Sequence, residues 1–272
     1  MPLLKRSPAP FAALAVLLTL SACATAPKDI AAATIDGRPI AYRVMGSGAP
    51  AIVMISGLGD GMASFDEVAP EIAKVTTVIV YDRAGYGASA PREGAADAVA
   101  FERDLSGLLA QSGVSAPYIL VGHSIGGTYA EYFAAKHPDQ VAGLVLEDSR
   151  PAGFTRRCEE ARIGMCTPPS VLTKLMPKGA QREVGALAAT MAQVEGIGAA
   201  RSTPTLVLSQ SRKEKPSAFE ALWAVAQDDL AARYAPSRHL VAAKSGHYIH
   251  RDQKAWLIAV VTDFVRQQRR EP

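Results

Sequence analysis

No period of 20–50 residues repeats in this 272-residue sequence, which excludes a solenoid. Charge of either sign is not in excess. The chain carries 29 basic and 26 acidic side chains, and residues 1–22 hold Lys5, Arg6 and no acid, so removing them leaves 27 against 26. The pI near 8.7 partly reflects that leading segment. A balance near +1 gives no electrostatic reason to expect a nucleic-acid partner. Long apolar runs are also missing: Phe11 to Leu20 is too short to read as a transmembrane helix. Cysteine is scarce, at three residues, and Cys158 and Cys166 have no neighbouring His or Asp partners that would suit a metal. What remains is a chain 49% hydrophobic and 20% charged, which suits one α/β domain with a sizeable core.

Residues 1–22 read as a secretion signal, with a basic start at Lys5 and Arg6 and an apolar stretch behind it. Leu20-Ser21-Ala22-Cys23 resembles a bacterial lipobox, in which the cysteine is lipidated and becomes the new N-terminus. The resemblance implies a lipid anchor at Cys23, a tether over residues 23–33, and a domain over 34–272. Ala24 rather than Asp after the cysteine points by the same resemblance to the outer membrane, facing the periplasm. In an exported chain, a lone pair of cysteines eight residues apart reads as a local disulfide between Cys158 and Cys166.

The strand pattern Tyr118–Val121 runs into Gly122-His123-Ser124-Ile125-Gly126, and an Ala-rich helical pattern follows at once. This is G-x-S-x-G in its strand–turn–helix setting, which makes Ser124 a candidate nucleophile at a sharp turn. Glycine two before and two after the serine fits a turn with no room for side chains. Elsewhere, Asp36-Gly37 marks a hairpin within residues 34–48, and 51–55, 77–81, 143–146, 205–208 and 239–242 read as strands. Helical periodicity covers 63–74, 97–112, 217–234 and 254–267. Strands alternating with helices give a mostly parallel sheet with helices on both faces. The alternation breaks between residues 150 and 201, which hold two weak helical stretches and the methionines Met165, Met176 and Met191. An insertion there forms a lid over the site.

The order GLG, YDRAGYGAS, GHSIGG, LVLEDS and SGHYIH resembles the α/β-hydrolase superfamily over roughly residues 35–268. The resemblance implies the α/β-hydrolase fold and the order nucleophile, acid, histidine. It places the base at His247, after the last strand, with His250 as the rival three residues on. It places the oxyanion hole at the backbone amides of Leu58 and Ile125, although the family often has His-Gly where this chain has Ser56-Gly57. Asp82 and Arg83 match a structural loop and receive no catalytic role.

The acid departs from the commoner pattern. Lining the segment after 205–208 up with the usual arrangement puts Lys213 at the acid's place, and the nearest carboxylate is Glu214. Some branches take the acid from the preceding strand end, where Glu147 and Asp148 stand; Asp148 matches that position better. Asp148, Glu214 and Glu147 therefore remain the candidates, in that order.

Serine at 124 excludes the branches that attack with Asp or Cys, among them epoxide hydrolases, haloalkane dehalogenases and dienelactone hydrolases. The expected activity is hydrolysis of a small carboxylic ester, with no metal, nucleotide or other cofactor implied. An aminopeptidase or C–C bond hydrolase of the same fold is the alternative chemistry. An inert, surface-anchored binding protein is the alternative class, against which intact Ser124 and His247 argue.

Overall fold

A computed structural model describes residues 29–164, 166–198 and 202–270. The signal-like segment, Cys23 and Met165 lie outside them. Strands β1 (Ala31–Ile35) and β2 (Arg38–Met45) form a hairpin at Asp36-Gly37, both residues with positive φ. This start corrects the tether's boundary. Ala31 to Ala33 pair with Tyr42 to Ile40, and Ala33 is fully buried, so these three residues belong to the sheet.

The remaining strands are β3 (Ala51–Ile55), β4 (Val78–Tyr81), β5 (Tyr118–His123), β6 (Val141–Glu147), β7 (Thr205–Ser209) and β8 (Ser237–Val241). The eight lie in the order β1-β2-β4-β3-β5-β6-β7-β8, with β1 and β2 antiparallel to their neighbours and every later pairing parallel. The crossover helices are α1 (Ala69–Ile72), α2 (Ala98–Gln111) and α3 (Ile125–Lys136). The segment expected to form the lid holds α4 (Phe154–Glu160), α5 (Ser170–Leu175), α6 (Lys178–Gly185) and α7 (Leu187–Ile197), and α8 (Ala218–Ala232), α9 (Ile249–Asp252) and α10 (Lys254–Gln268) follow.

Side chains alternate across a strand, so a central strand must be apolar on both sides. In β3, Ala51, Val53 and Ile55 join the core under α2, α3 and α7, whereas Ile52 and Met54 join the core under α1 and α10. Each core is therefore one layer between the sheet and its helices. A third cluster ties the lid to α8 through Phe154, Cys158, Cys166 and Trp223, and the Cys158–Cys166 disulfide lies within it. The start of α8 carries a complete capping box between Ser217 and Glu220, a feature worth about 1 kcal/mol.

The apolar pattern over 63–74 does not yield one helix. A 3₁₀ turn at Met62–Phe65 is followed by the four-residue α1, because Pro70 has no amide to donate to the preceding turn and disfavours helical backbone before it. Between β6 and β7, four short helices among the described residues stand where two helical stretches were expected.

Candidate active site

The parallel strands β5 and β6 end side by side, with His123 opposite Glu147, so the residues just beyond them meet at one rim of the sheet. Ser124 sits there at φ 55° and ψ −122°, backbone that L-residues rarely adopt. Its own peptide groups hold it in place. Ser124 N donates to Glu147 O at 3.0 Å, and Ser124 O accepts from Gly127 N and Arg150 N, each at 3.0 Å. The two flanking glycines have a steric reason. A Cβ on Gly122 would stand 2.5 Å from Gly126 O, and one on Gly126 would stand 2.2 Å from Ile55 O. Those are backbone atoms, which cannot move aside without opening the turn.

The structure brings Asp148 to His247. Asp148 follows β6 directly, is fully buried, and adopts φ 39°. Its Oδ2 lies 2.6 Å from His247 Nδ1, while its Oδ1 accepts from Gln210 N and from the indole Nε1 of Trp223, both at 3.0 Å. Three donors thus satisfy a carboxylate that burial alone would penalise. With its Nδ1–H donated to Asp148, the neutral His247 ring carries no proton on Nε2, and the ring is 37% exposed. Ser124 Oγ and His247 Nε2 make no hydrogen bond among the described residues; such bonds are often formed only once substrate is bound.

The other carboxylates go elsewhere. Glu214 is exposed, on the loop between β7 and α8. Glu147 is fully buried and receives both the backbone amide and Nδ1 of His250, at 2.7 and 2.8 Å. His250, 1% exposed, is therefore inside the protein rather than at the serine. The two successive carboxylates thus serve two different histidines, Glu147 at the end of β6 and Asp148 in the turn beyond it.

His123, the variable position of the turn motif, also has a task. Its Nε2–H donates to the backbone carbonyl of His247 at 3.0 Å, tying the histidine loop to the residue beside the serine. Burial, reinforced by His247 and His250, holds the His123 imidazole well below the usual histidine range. A neutral ring with its proton on Nε2 is what this bond requires.

The loop after β3 closes the site. A Cβ added to Gly57 would lie 3.4 Å from Ser124 Cβ and 2.7 Å from His123 Nδ1, so only glycine allows this approach. Leu58 N makes no backbone hydrogen bond among the described residues, and Ile125 N opens α3, where no carbonyl of the helix can reach it. Two amides without a backbone partner among the described residues thus lie one on the loop that approaches Ser124 and one directly after it in sequence. Sequence reasoning missed Trp223, read only as part of an apolar stripe, and the contacts of Arg83 described below.

A family model described as the alpha/beta hydrolase fold matches residues 50–202. The chain belongs to the alpha/beta hydrolase fold family. Over 121 residues it is 37% identical to the sn-1-specific diacylglycerol lipase ABHD11 of Mus musculus, a match covering 43% of this chain but only 39% of that relative. The uncharacterised YqjL of Bacillus subtilis is 28% identical over 227 residues, covering 81% of this chain and 85% of YqjL. Among solved structures, a thermophilic esterase from Thermogutta terrifontis superposes with a TM-score of 0.68 at 22% identity, covering 88% of this chain and 98% of the esterase. At that identity the likeness speaks for the fold alone. The parallel strand order and the sharp strand–turn–helix at Ser124 are features of that fold.

Proposed function

We propose that this alpha/beta hydrolase is a serine carboxylesterase working through an acyl-enzyme on Ser124, with His247 as base and Asp148 as its acid. The observation that carries the reading is the 2.6 Å contact of a buried, three-donor Asp148 with His247, on the loop that His123 clamps beside Ser124. In acylation, His247 Nε2 takes the Ser124 proton as Oγ bonds to the ester carbonyl carbon. The negative charge that develops on the carbonyl oxygen is received by the amides of Leu58 and Ile125, each donor worth about 3 kcal/mol. His247 then passes its proton to the departing alcohol, and water repeats the sequence to release the acid. Asp148 holds the tautomer and stabilises the imidazolium. A named lipase relative supports an acyl-ester substrate.

The lipoprotein address forms part of the same proposal: lipidation at Cys23 and attachment to the outer membrane on the periplasmic side. The Cys158–Cys166 disulfide supports it, since such bonds persist outside the reducing cytosol. Replacing Cys23 by Ala then gives unanchored protein, and mature protein without an acyl chain by mass spectrometry refutes the address.

The catalytic reading is tested on the domain beginning before β1, with p-nitrophenyl esters of increasing acyl length beside aminoacyl-anilides. Esters turn over and anilides do not, and a fluorophosphonate probe adds its mass at Ser124. Preferred turnover of the anilides would favour an aminopeptidase, and absence of both labelling and turnover would favour an inert binding protein.

A further inference from the structure

The loop that carries Leu58 is held from below by one arginine. Arg83, 5% exposed, lies on the loop after β4, and its guanidinium has five N–H donors. All five are used. Nη1 reaches Ser56 O at 2.6 Å and Ser56 Oγ at 3.0 Å, and Nη2 reaches Gly57 O at 3.0 Å. Nε and Nη2 make a two-pronged contact with Glu183 Oε1 and Oε2, at 2.6 and 2.9 Å. Glu183 belongs to α6, inside the lid, and is itself buried.

A second path joins the same two elements. Tyr86 OH donates to Glu183 Oε2 at 2.6 Å and accepts from Gly59 N at 3.3 Å. Residues 56, 57 and 59 are thus all tied to Glu183, directly through Arg83 or through Tyr86. Leu58 lies between them with its amide uncommitted. A trans peptide points its C=O and N–H in opposite directions, so fixing Gly57 O against Arg83 fixes the Leu58 N–H on the other edge. That edge belongs to the loop that passes close to Ser124 Cβ. The seat of α6 is equally close-fitting: Gly179 N donates to Gly85 O, and a Cβ on Gly179 would stand 2.7 Å from the Tyr86 ring.

We propose that Arg83 is the positioning residue of the oxyanion loop, and that Glu183 makes this positioning conditional on the lid helix α6 being seated. The idea rests on the serine-hydrolase reading of Ser124. Arg83 touches no reacting atom. It sets the direction of the Leu58 N–H, and Glu183 sets the direction of Arg83. An ester bound under a seated lid meets a formed oxyanion hole. With the lid displaced, the arginine fork loses its carboxylate and the Gly57–Leu58 peptide is free to turn.

The test compares Glu183→Gln with the wild-type domain in ester turnover and in hydrogen–deuterium exchange of the peptides spanning residues 56–60. Loss of one oxyanion donor sets the scale, so kcat falls by about 10²-fold while KM changes little. Exchange over 56–60 rises, although the substitution is in the lid. Glu195→Gln is the control, because it removes the exposed lid ion pair with Arg156, which does not touch the loop; it leaves kcat and exchange over 56–60 unchanged. Tyr86→Phe keeps the ion pair but cuts the path to Gly59, and lowers kcat by a smaller factor; it decides the matter should Glu183→Gln not fold. Unchanged kcat and unchanged exchange over 56–60 in the variants overturn the proposal, as does an equal loss in Glu195→Gln. If the wild-type domain turns over no substrate, the hydrolase reading fails by itself. The exchange arm then decides alone whether Glu183 orders the loop.

Discussion

Two clusters of serine, histidine and aspartate lie at the ends of strands in this molecule, and they differ in an instructive way. In the first, Asp148 holds His247, and Ser124 Oγ is unbonded among the described residues. In the second, Ser209 Oγ lies 2.9 Å from His239 Nε2, and His239 Nδ1 lies 3.0 Å from Asp228 Oδ1. By side-chain distances the second is the more complete triad, and a cavity lined by Ser209, Arg212, Lys213, Trp223 and Gln227 borders it. The backbone reverses that judgement. Ser209 ends β7, is buried, and gives its carbonyl to Ala242 N. The amides that follow are spent, Gln210 N on Asp148 and Ser211 N on Ser245 O. Neither of those two amides is free to receive an oxyanion. Asp228 is half exposed and shared with Arg212 at 2.5 Å, so it orients the imidazole only loosely. Reactivity in such a cluster depends on free amides and a strained turn as much as on the three side chains.

The largest effect sharpens this contrast directly. Ser124→Ala lowers ester turnover by on the order of 10⁵–10⁶ and abolishes fluorophosphonate labelling. Ser209→Ala leaves both at the wild-type level. Labelling that persists in Ser124→Ala and vanishes in Ser209→Ala would exchange the roles of the two clusters.

Next in size are the acids. Asp148→Asn keeps the fold but lowers turnover by up to about 10⁴, since an amide cannot stabilise the imidazolium and favours the wrong tautomer. Asp228→Asn and Glu214→Gln stay close to wild type. A Glu214→Gln variant as impaired as Asp148→Asn would return the acid to the later loop. A smaller loss follows at Trp223, whose indole N–H is one of the three donors on Asp148. Trp223→Phe keeps the apolar packing and removes that donor, and kcat falls by about tenfold. Equal kcat in the two proteins would show that Gln210 N suffices.

Much of this architecture is legible in the residues. The strand–turn–helix around Ser124 follows from local glycine spacing, which depends on neighbours in sequence. The preference for Asp148 over Glu214 comes instead from the resemblance to the family, and in the structure it is Asp148 that meets His247. What escaped detection depends on residues about 100 positions apart, such as Arg83 meeting Glu183 and Tyr86 meeting the same carboxylate. A lone buried charge gives no sign of its partner in one sequence. The Ser209 cluster escaped although its members lie within 30 positions of one another, because His239 reads simply as the start of a strand. The helix expected over 63–74 failed on Pro70, whose effect is local and outweighs the periodicity.

The smallest effect separates the two clusters by pH. His123 is buried beside the first one, and burial, then His247 and His250, depress its affinity for a proton. In the unfolded chain an ordinary histidine titrates near about 6.5. The unfolded state therefore binds more protons than the folded state between that value and the lower folded one, and stability rises with pH across the window. Stability from neutral His123 is fully present above about pH 6.5 and is lost as pH falls toward the folded value. His239, also depressed by burial, contributes in the same direction, but Asp228 beside it opposes the shift. Thermal midpoints measured at pH 7.5 and at pH 5.5 should therefore differ less in His123→Gln than in wild type, with His239→Gln giving the smaller change. The His123 bond to the His247 carbonyl adds a second readout, because Gln cannot keep both the position and the rigidity of the ring. If the pH dependence of the midpoint is the same in His123→Gln as in wild type, the imidazole is not the buried neutral donor that holds the His247 loop to the turn.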